Sequence, residues 1–265
     1  MRLSDAARVA AEAMGIMTPR TLANGHPSLL PFLTPGTSVL DVGCGPGTLT
    51  MEIATRVYPG PVVGLDSNPK MIAAAEELRR PVDLPNLIFY TDDIRESGWD
   101  GEFDVINAAR ALQWIPRPEV ALARMACAAR PGGAVVALDF DHTRARWSRP
   151  PEAWTRFYEA FIDWRQAAGL DNAIARRLPR LCERVGLVDV RSTSQITTVR
   201  AGDPDFFRVA GSWRMIIEGR GHEIVASGLL TETERRDALD DFTEWMKDPD
   251  AIQTVYESCV IAHRP

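Results

Sequence analysis

The sequence predicts an α/β fold, a doubly wound sheet of mostly parallel strands with helices on both faces. Three observations carry this expectation. Apolar runs of strand length alternate with helix-length segments from Ser38 to Phe140. The first run, Val39 to Val42, leads directly into a turn containing Gly43, Gly45 and Gly47. Asp41, Asp66 and Asp93 fall at or near three separate strand ends, where a doubly wound sheet keeps its ligand crevice.

The elements follow in order. From Leu3 to Met17 apolar and alanine positions recur at helical spacing, and Pro19 ends the run. A short helix is expected from Pro27 to Leu33, and Pro35-Gly36 then marks the entry to the first strand, Ser38 to Val42. A helix over Thr48–Val57 precedes a strand over Pro61–Asp66, and Pro69 and the terminal Arg79-Arg80 frame the next helix. Strands over Leu87–Thr91 and Phe103–Ala108, a helix over Arg117–Ala129 and a strand over Ala134–Phe140 complete the alternation. After Phe140 the pattern changes. A polar, proline-terminated stretch leads into a helix whose Trp154, Phe157, Tyr158 and Phe161 share one face, which predicts an insertion over the sheet. Ala173 to Val185 reads as a helix closed by Gly186, and Val188 to Val199 as a strand. Asp205 to Lys247 is a long helical stretch interrupted by glycines, and Thr254 to His263 is a last strand.

Composition narrows the partners. The chain has 265 residues, 45% of them hydrophobic and 25% charged, which suits an ordinary globular chain with one substantial core. A formal charge of −6 gives no global field toward nucleic acid or an anionic membrane, so a small-molecule partner is expected, with neither nucleic acid nor membrane. Cys44, Cys127, Cys182 and Cys259 lie far apart, which suits reduced, mostly buried thiols rather than a zinc site or a disulfide framework. With no stretch resembling a leader or a membrane span, a cytoplasmic location is expected, as a monomer or homodimer. No pattern suggests a metal.

The Gly-rich turn carries the chemistry. Its glycines remove every Cβ, so a ligand could lie against bare backbone. Asp41 beside it would attract a cationic group, whereas a loop built only for pyrophosphate has no use for a negative charge. A ligand with an ammonium group and an adenosine half meets both demands. A nicotinamide or flavin site fits less well, because the spacing is G-x-G-x-G and Thr48 occupies the sixth position, where a dinucleotide binder needs a small residue.

The chain resembles the class I S-adenosylmethionine-dependent methyltransferases through DVGCGPGT, GLDSNP, TDDI, FDVINAARALQWI and RPGGAVVALDF, in that order. Within them it is similar to small-molecule enzymes related to the ubiquinone and menaquinone C-methyltransferases and to natural-product methyltransferases. The resemblance implies a Rossmann-like seven-stranded sheet with an antiparallel last strand. It also implies an N-terminal helical cap over residues 1–34 and a domain over 35–265, with helical insertions at about 143–180 and 203–248. The implied cofactor is S-adenosyl-L-methionine, with S-adenosyl-L-homocysteine as product. Gly43, Gly45, Gly47 and Asp41 would then meet its methionine end, and Asp66 the ribose hydroxyls. Asp93, favoured over Asp92, would meet the adenine amino group with the backbone of Ile94. Ser67 and Met71 would pack beside the adenosine, and Ala108, Ala109 and Arg110 would line the site near the sulfonium.

The acceptor side is less constrained. Arg110, Gln113 and Trp114 are the main candidates, with His26, Trp154 and Tyr158 as further ones. The aromatic face of Trp154 and Tyr158 is either a pocket wall or the underside of the insertion. His142 and His26 read first as surface histidines, although both can approach the crevice. A catalytic residue is not assigned; His142, Arg110 and Tyr158 are the candidates. Cys44 reads as a small filler of the turn. Arg144, Arg146, Arg149, Arg176, Arg177, Arg180 and Arg184 read as a solvated face. The implied reaction is in-line methyl transfer to an oxygen, nitrogen or carbon of a small molecule, such as a secondary metabolite or quinone-like compound. A cofactor-binding protein without transferase activity and a cofactor-dependent cyclase on the same scaffold are the alternatives.

Overall fold

The computed structural model describes residues 21–265, so the helix expected over Leu3–Met17 lies outside the described residues. A four-residue helix, α1 (Leu22–Gly25), opens the described chain under a Thr21 cap. Pro27–Phe32 is a 3-10 segment rather than the expected α-helix, with Pro27 at its start and Pro31 inside it.

Alternating elements then build the sheet: β1 (Val39–Val42), α2 (Thr48–Val57), β2 (Val62–Asp66), α3 (Pro69–Arg79), β3 (Leu87–Thr91), β4 (Phe103–Ala109), α4 (Pro118–Ala128) and β5 (Ala129–Phe140). β1 lies between β2 and β4 and pairs in parallel with both, β3 lies outside β2, and β5 lies outside β4. The chain therefore winds one way from β1 to β3 and the other way from β4 onward. The switch point lies beyond the carboxyl ends of β1 and β4, where such sheets bind ligands.

The sheet has eight strands rather than the expected seven. After β5 a short turn leads to β6 (Arg146–Trp147), α5 (Glu152–Ala167), α6 (Ile174–Arg184) and β7 (Val188–Arg200). The last strand, β8 (Ile252–His263), runs antiparallel beside β5 and carries β7 antiparallel along its other side. Pairing with β5 stops at Glu257, so the start of β8 would be open on that side; Arg146 and Trp147 fill it by pairing with Thr254 and Gln253. The extra strand is a repair of that edge, too short to carry a sequence pattern.

Each strand divides its side chains between two cores. Leu40, Val42, Ile106 and Val135 pack with Leu122 and Met125 of α4 and Leu178 of α6. Val39, Val105 and Val136 pack on the opposite face with Met51, Ile53 and Val57 of α2. A third core holds the cap together. The stretch expected as one interrupted helix is three, α7 (Phe206–Gly219), α8 (Gly221–Ala226) and α9 (Glu232–Trp245). Their Trp213, Ile217, Phe242 and Trp245 pack with Trp154, Phe157 and Phe161 of α5. Thr231 and Glu234 form a reciprocal capping box at the start of α9. Among the described residues no helix is long and apolar enough to cross a membrane, and no group of three or more His, Cys, Asp or Glu is placed to hold a metal. Cys182 and Cys259 are buried, whereas Cys44 is half-buried and Cys127 exposed; all four thiols are free.

Candidate active site

The glycine turn after β1 has its amides committed internally. Gly43 and Cys44 N–H donate to Leu65 O, Gly45 N–H donates to Asp66 Oδ2 at 2.9 Å, and Gly47 N–H donates to Cys44 O. Pro46 has no N–H to offer. The amides of Gly43, Cys44, Gly45 and Gly47 are therefore spent, whereas Thr48 and Leu49, the first residues of α2, border the cavity with first-turn amides that no helix carbonyl takes. The three glycines also differ in role. A Cβ on Gly43 would stand 2.4 Å from that of Ala111, and one on Gly47 2.6 Å from the Phe89 ring, so both permit close packing. Gly45, at φ +55, faces open space, and it alone of the three presents an unobstructed surface. Gly43 and Gly45 both border the cavity described below and Gly47 does not, so the backbone expected to be bared at all three is bared at two.

Asp41 ends a directional hydrogen-bond chain. Thr50 Oγ1 donates to its Oδ2 at 2.6 Å and Asn107 Nδ2 donates to its Oδ1 at 2.7 Å. Because Asn107 donates through its nitrogen, its Oδ1 accepts from His26 Nε2 at 2.9 Å. Burial raises the Asp41 carboxyl to about 6, against the lowering effect of those two donors. Burial likewise lowers His26 to about 4, so His26 is neutral at pH 7. His26 is fully buried and does not border the cavity, so the surface expectation and its acceptor-side candidacy are both corrected; its contact is to Asn107. Asn107 was missed in the sequence because an amide inside an apolar strand reads as a polar interruption.

On the β2 side, Asp66 is half-buried, and its two oxygens each accept one backbone N–H, from Gly45 and Asn68 at 2.9 Å. Each oxygen keeps a lone pair for a further donor. Met71 borders the cavity with Asn68 and Lys70, whereas Ser67 is exposed and does not. Asp93 is occupied otherwise: Arg95 Nε and Nη2 clasp its carboxylate, and this hydrogen bonding holds its pKa below the usual range. Asp92 accepts the Asp93 N–H, Ile94 is core, and Ala108 is fully buried while its neighbour Ala109 reaches the cavity.

Beyond β4, Arg110 adopts φ +60, a conformation uncommon for a side-chain-bearing residue. Its guanidinium lies 2.6 Å from Glu257 of β8 and 5.3 Å from the centre of the Phe140 ring. The arginine expected on the acceptor side is thus paired, with side-chain exposures of 9% and 5% across the pair. Gln113 Nε2 donates to Arg110 O at 3.1 Å, which leaves its Oε1 to accept from His142 Nε2 at 2.6 Å. His142 is buried, against the surface expectation, and burial with the nearby Arg165 charge drives its pKa well down. Tyr158 donates its hydroxyl to His142 O and does not border the cavity. Trp154 is 1% exposed and packs on Trp213 and Phe242, so of the two expected roles it takes the underside of the cap. Asp139, buried beneath this network, accepts N–H from Gln113 and Phe140, and burial raises it to about 7. Arg144, Arg146, Arg149, Arg176, Arg177, Arg180 and Arg184 are all exposed, as expected, and within that face Arg144 stacks over Tyr256 and Arg176 pairs with the buried Asp141.

A cavity of about 910 Å³ joins the glycine turn to the exit of β4, with Asp66, Asp93 and Ile94 outside its lining. It runs from Gly45 and Asp41, past Arg110, Gln113, Trp114 and His142, to the face of α7 bearing Arg208, Ser212, Ile216 and Arg220. Its floor there comes from Gln195 and Thr197 of β7 and Gln253, Val255 and Glu257 of β8. That volume accommodates a nucleoside-sized molecule and a small partner together. The α7 and β8 residues were not found in the sequence, because a helical stripe or alternating strand reads the same whether it faces a core or a cavity.

The sequence profile described as "Methyltransferase domain" matches residues 33–172. Over 115 residues the chain is 39% identical to trans-aconitate 2-methyltransferase of Deinococcus radiodurans, covering 42% of each chain. Over 176 residues it is 32% identical to the protein of that name from Methylobacterium radiotolerans, covering 66% of this chain and 62% of the relative. The matches thus span less than two thirds of the length of these relatives. Among solved structures, phosphoethanolamine N-methyltransferase 2 of Haemonchus contortus, with phosphomonomethylethanolamine and S-adenosylhomocysteine bound, superposes with a TM-score of 0.60 at 16% identity. That match covers 100% of this chain and 60% of the other.

Proposed function

The chain belongs to the methyltransferase domain family, with the class I S-adenosylmethionine-dependent fold, and from that premise we propose that it methylates an oxygen, nitrogen or carbon of a small molecule held beneath its helical cap. The observation that carries the proposal is one continuous cavity that runs from an acid-bearing glycine turn to a chamber beneath α7. The turn fits the cofactor on chemical grounds. The buried Asp41 favours an ammonium and Asp66 retains acceptor capacity for a diol, two demands that a ligand with an amino-acid end and a ribose meets together.

S-adenosylmethionine supplies an electrophilic methyl on a sulfonium and leaves as a neutral thioether. The chain's own contribution is alignment and exclusion of water, which can supply a large share of the acceleration. In the proposal Asp41 and the Gly45 backbone hold the methionine end, Asp66 orients the ribose, and Met71 packs beside the adenosine. Arg110, fixed by Glu257, shapes the passage to the acceptor chamber. His142 carries its proton on Nε2, where Gln113 accepts it, and so offers Nδ1 only as a hydrogen-bond acceptor. The named relatives bring a carboxylate oxygen of trans-aconitate into the range of nucleophiles.

The test is incubation with methyl-labelled S-adenosylmethionine and a panel of small hydroxyl, amine, carboxylate and activated-carbon compounds, trans-aconitate included. The expected result is S-adenosylhomocysteine accumulating in step with label in one acceptor. Cofactor binding without S-adenosylhomocysteine from any compound would contradict methyl transfer and favour the nonmethylating alternatives.

A further inference from the structure

We infer that the chamber between α7 and the β7/β8 sheet receives an uncharged, hydrogen-bonding molecule, and that Gln253 is the side chain that recognises it. This rests on the methyltransferase proposal and specifies its acceptor. Residues directly opposite in an antiparallel pair project to the same face. Thr197 faces Val255, and Gln253 lies in one row between Val199 of β7 and Trp147 of β6. That face is the floor of the chamber.

Gln253 is 0% exposed and borders the cavity, yet neither its Oε1 nor its Nε2 has a hydrogen-bond partner among the described residues. The indole Nε1 of Trp147, next in the same row, is also buried and unpartnered. Buried polar groups are rarely left open, because each has given up its water without replacement. A carboxamide open at both ends is complementary to a ligand group that presents a donor and an acceptor side by side. Hydroxy-carbonyl and carboxamide compounds have that pattern.

Charge argues for the same class. Along the chamber Arg110 is held by Glu257 at 2.6 Å, Arg208 by Asp205 at 2.9 Å and Arg220 by Glu223 at 2.8 Å. Each guanidinium is already neutralised. A tricarboxylate entering here would find these three guanidinium groups already paired, and Arg165, which has no carboxylate partner among the described residues, donates to Gln113 O and Asn172 Oδ1, so three charges would lose hydration with little to replace it.

The experiment measures binding of salicylamide and of trans-aconitate to the full chain saturated with S-adenosylhomocysteine, for wild type, Gln253→Leu and Gln253→Met. Wild type is expected to bind salicylamide more tightly than trans-aconitate. Both variants should lose at least tenfold in salicylamide affinity while melting at or above the wild-type temperature, because an unsatisfied amide has been removed. A structural role for Gln253 would instead lower the melting temperature of both variants. Preference for trans-aconitate, no salicylamide binding, unchanged affinity in the variants, or a lowered melting temperature in both would each overturn the inference. Failure of wild type to bind S-adenosylhomocysteine at the outset would overturn the methyltransferase proposal itself, and the acceptor assignment with it.

Discussion

Asp41 shows how far a single residue's chemistry extends. Its place after an apolar strand marks it as a ligand-facing acid, but the sequence does not show that Thr50 and Asn107 hold it or that burial raises it to about 6. If its carboxylate holds an ammonium, S-adenosylhomocysteine affinity should fall as pH drops through about 6, since protonation removes the attracting charge. Calorimetric titrations from pH 5 to pH 8 check this, and Asp41→Asn should bind weakly throughout with no such slope. The glycines separate by the same logic. Gly43→Ala, with its Cβ 2.4 Å from Ala111, should destabilise by about 1–3 kcal/mol in denaturant melts through overpacking. Gly45→Ala faces open space and should cost only about 1–2 kcal/mol for its left-handed backbone. Its loss in S-adenosylhomocysteine affinity should exceed that of Gly43→Ala measured at equal folded fraction.

At the scale of elements, the β-α alternation was legible because strands such as Val39–Val42 and Val62–Asp66 are apolar on both faces and end at turns. The 3-10 segment and the two-residue β6 were not, because neither has a periodicity of its own. The cap helices were visible as amphipathic stripes, but what Trp154 and Trp213 face is fixed only by packing. Arg110 and Glu257 are 147 residues apart and join β4's exit to β8, a contact no local pattern encodes. This buried pair makes a prediction about the joint. Arg110→Ala should destabilise by about 3–5 kcal/mol, because it leaves Glu257 buried without its partner. Arg110→Met with Glu257→Met should recover most of that loss in urea unfolding, as removal of both charges leaves neither unpaired.

Across the whole molecule, buried ionisable groups oppose one another. Asp41 and Asp139, raised to about 6 and about 7, favour the folded state at low pH and lose that contribution as pH rises through those values. His26, lowered to about 4, and His142, lowered well below its usual value, contribute stability that is lost as pH falls. The two acids and the two histidines act in opposite directions between pH about 4.5 and about 6.5, so the melting temperature should vary less there than either pair alone would make it. Asp139→Asn removes one acid from the balance and should make stability fall as pH is lowered across that window, as read by scanning calorimetry. A direct titration tests which ligand the glycine turn holds. Calorimetry of the full chain at pH 7.5 should give saturable binding of one S-adenosylhomocysteine per chain and no heat with NADH, because the buried Asp41 beside the turn favours an ammonium and opposes a pyrophosphate. No binding of S-adenosylhomocysteine, or binding of NADH in its place, would contradict that assignment.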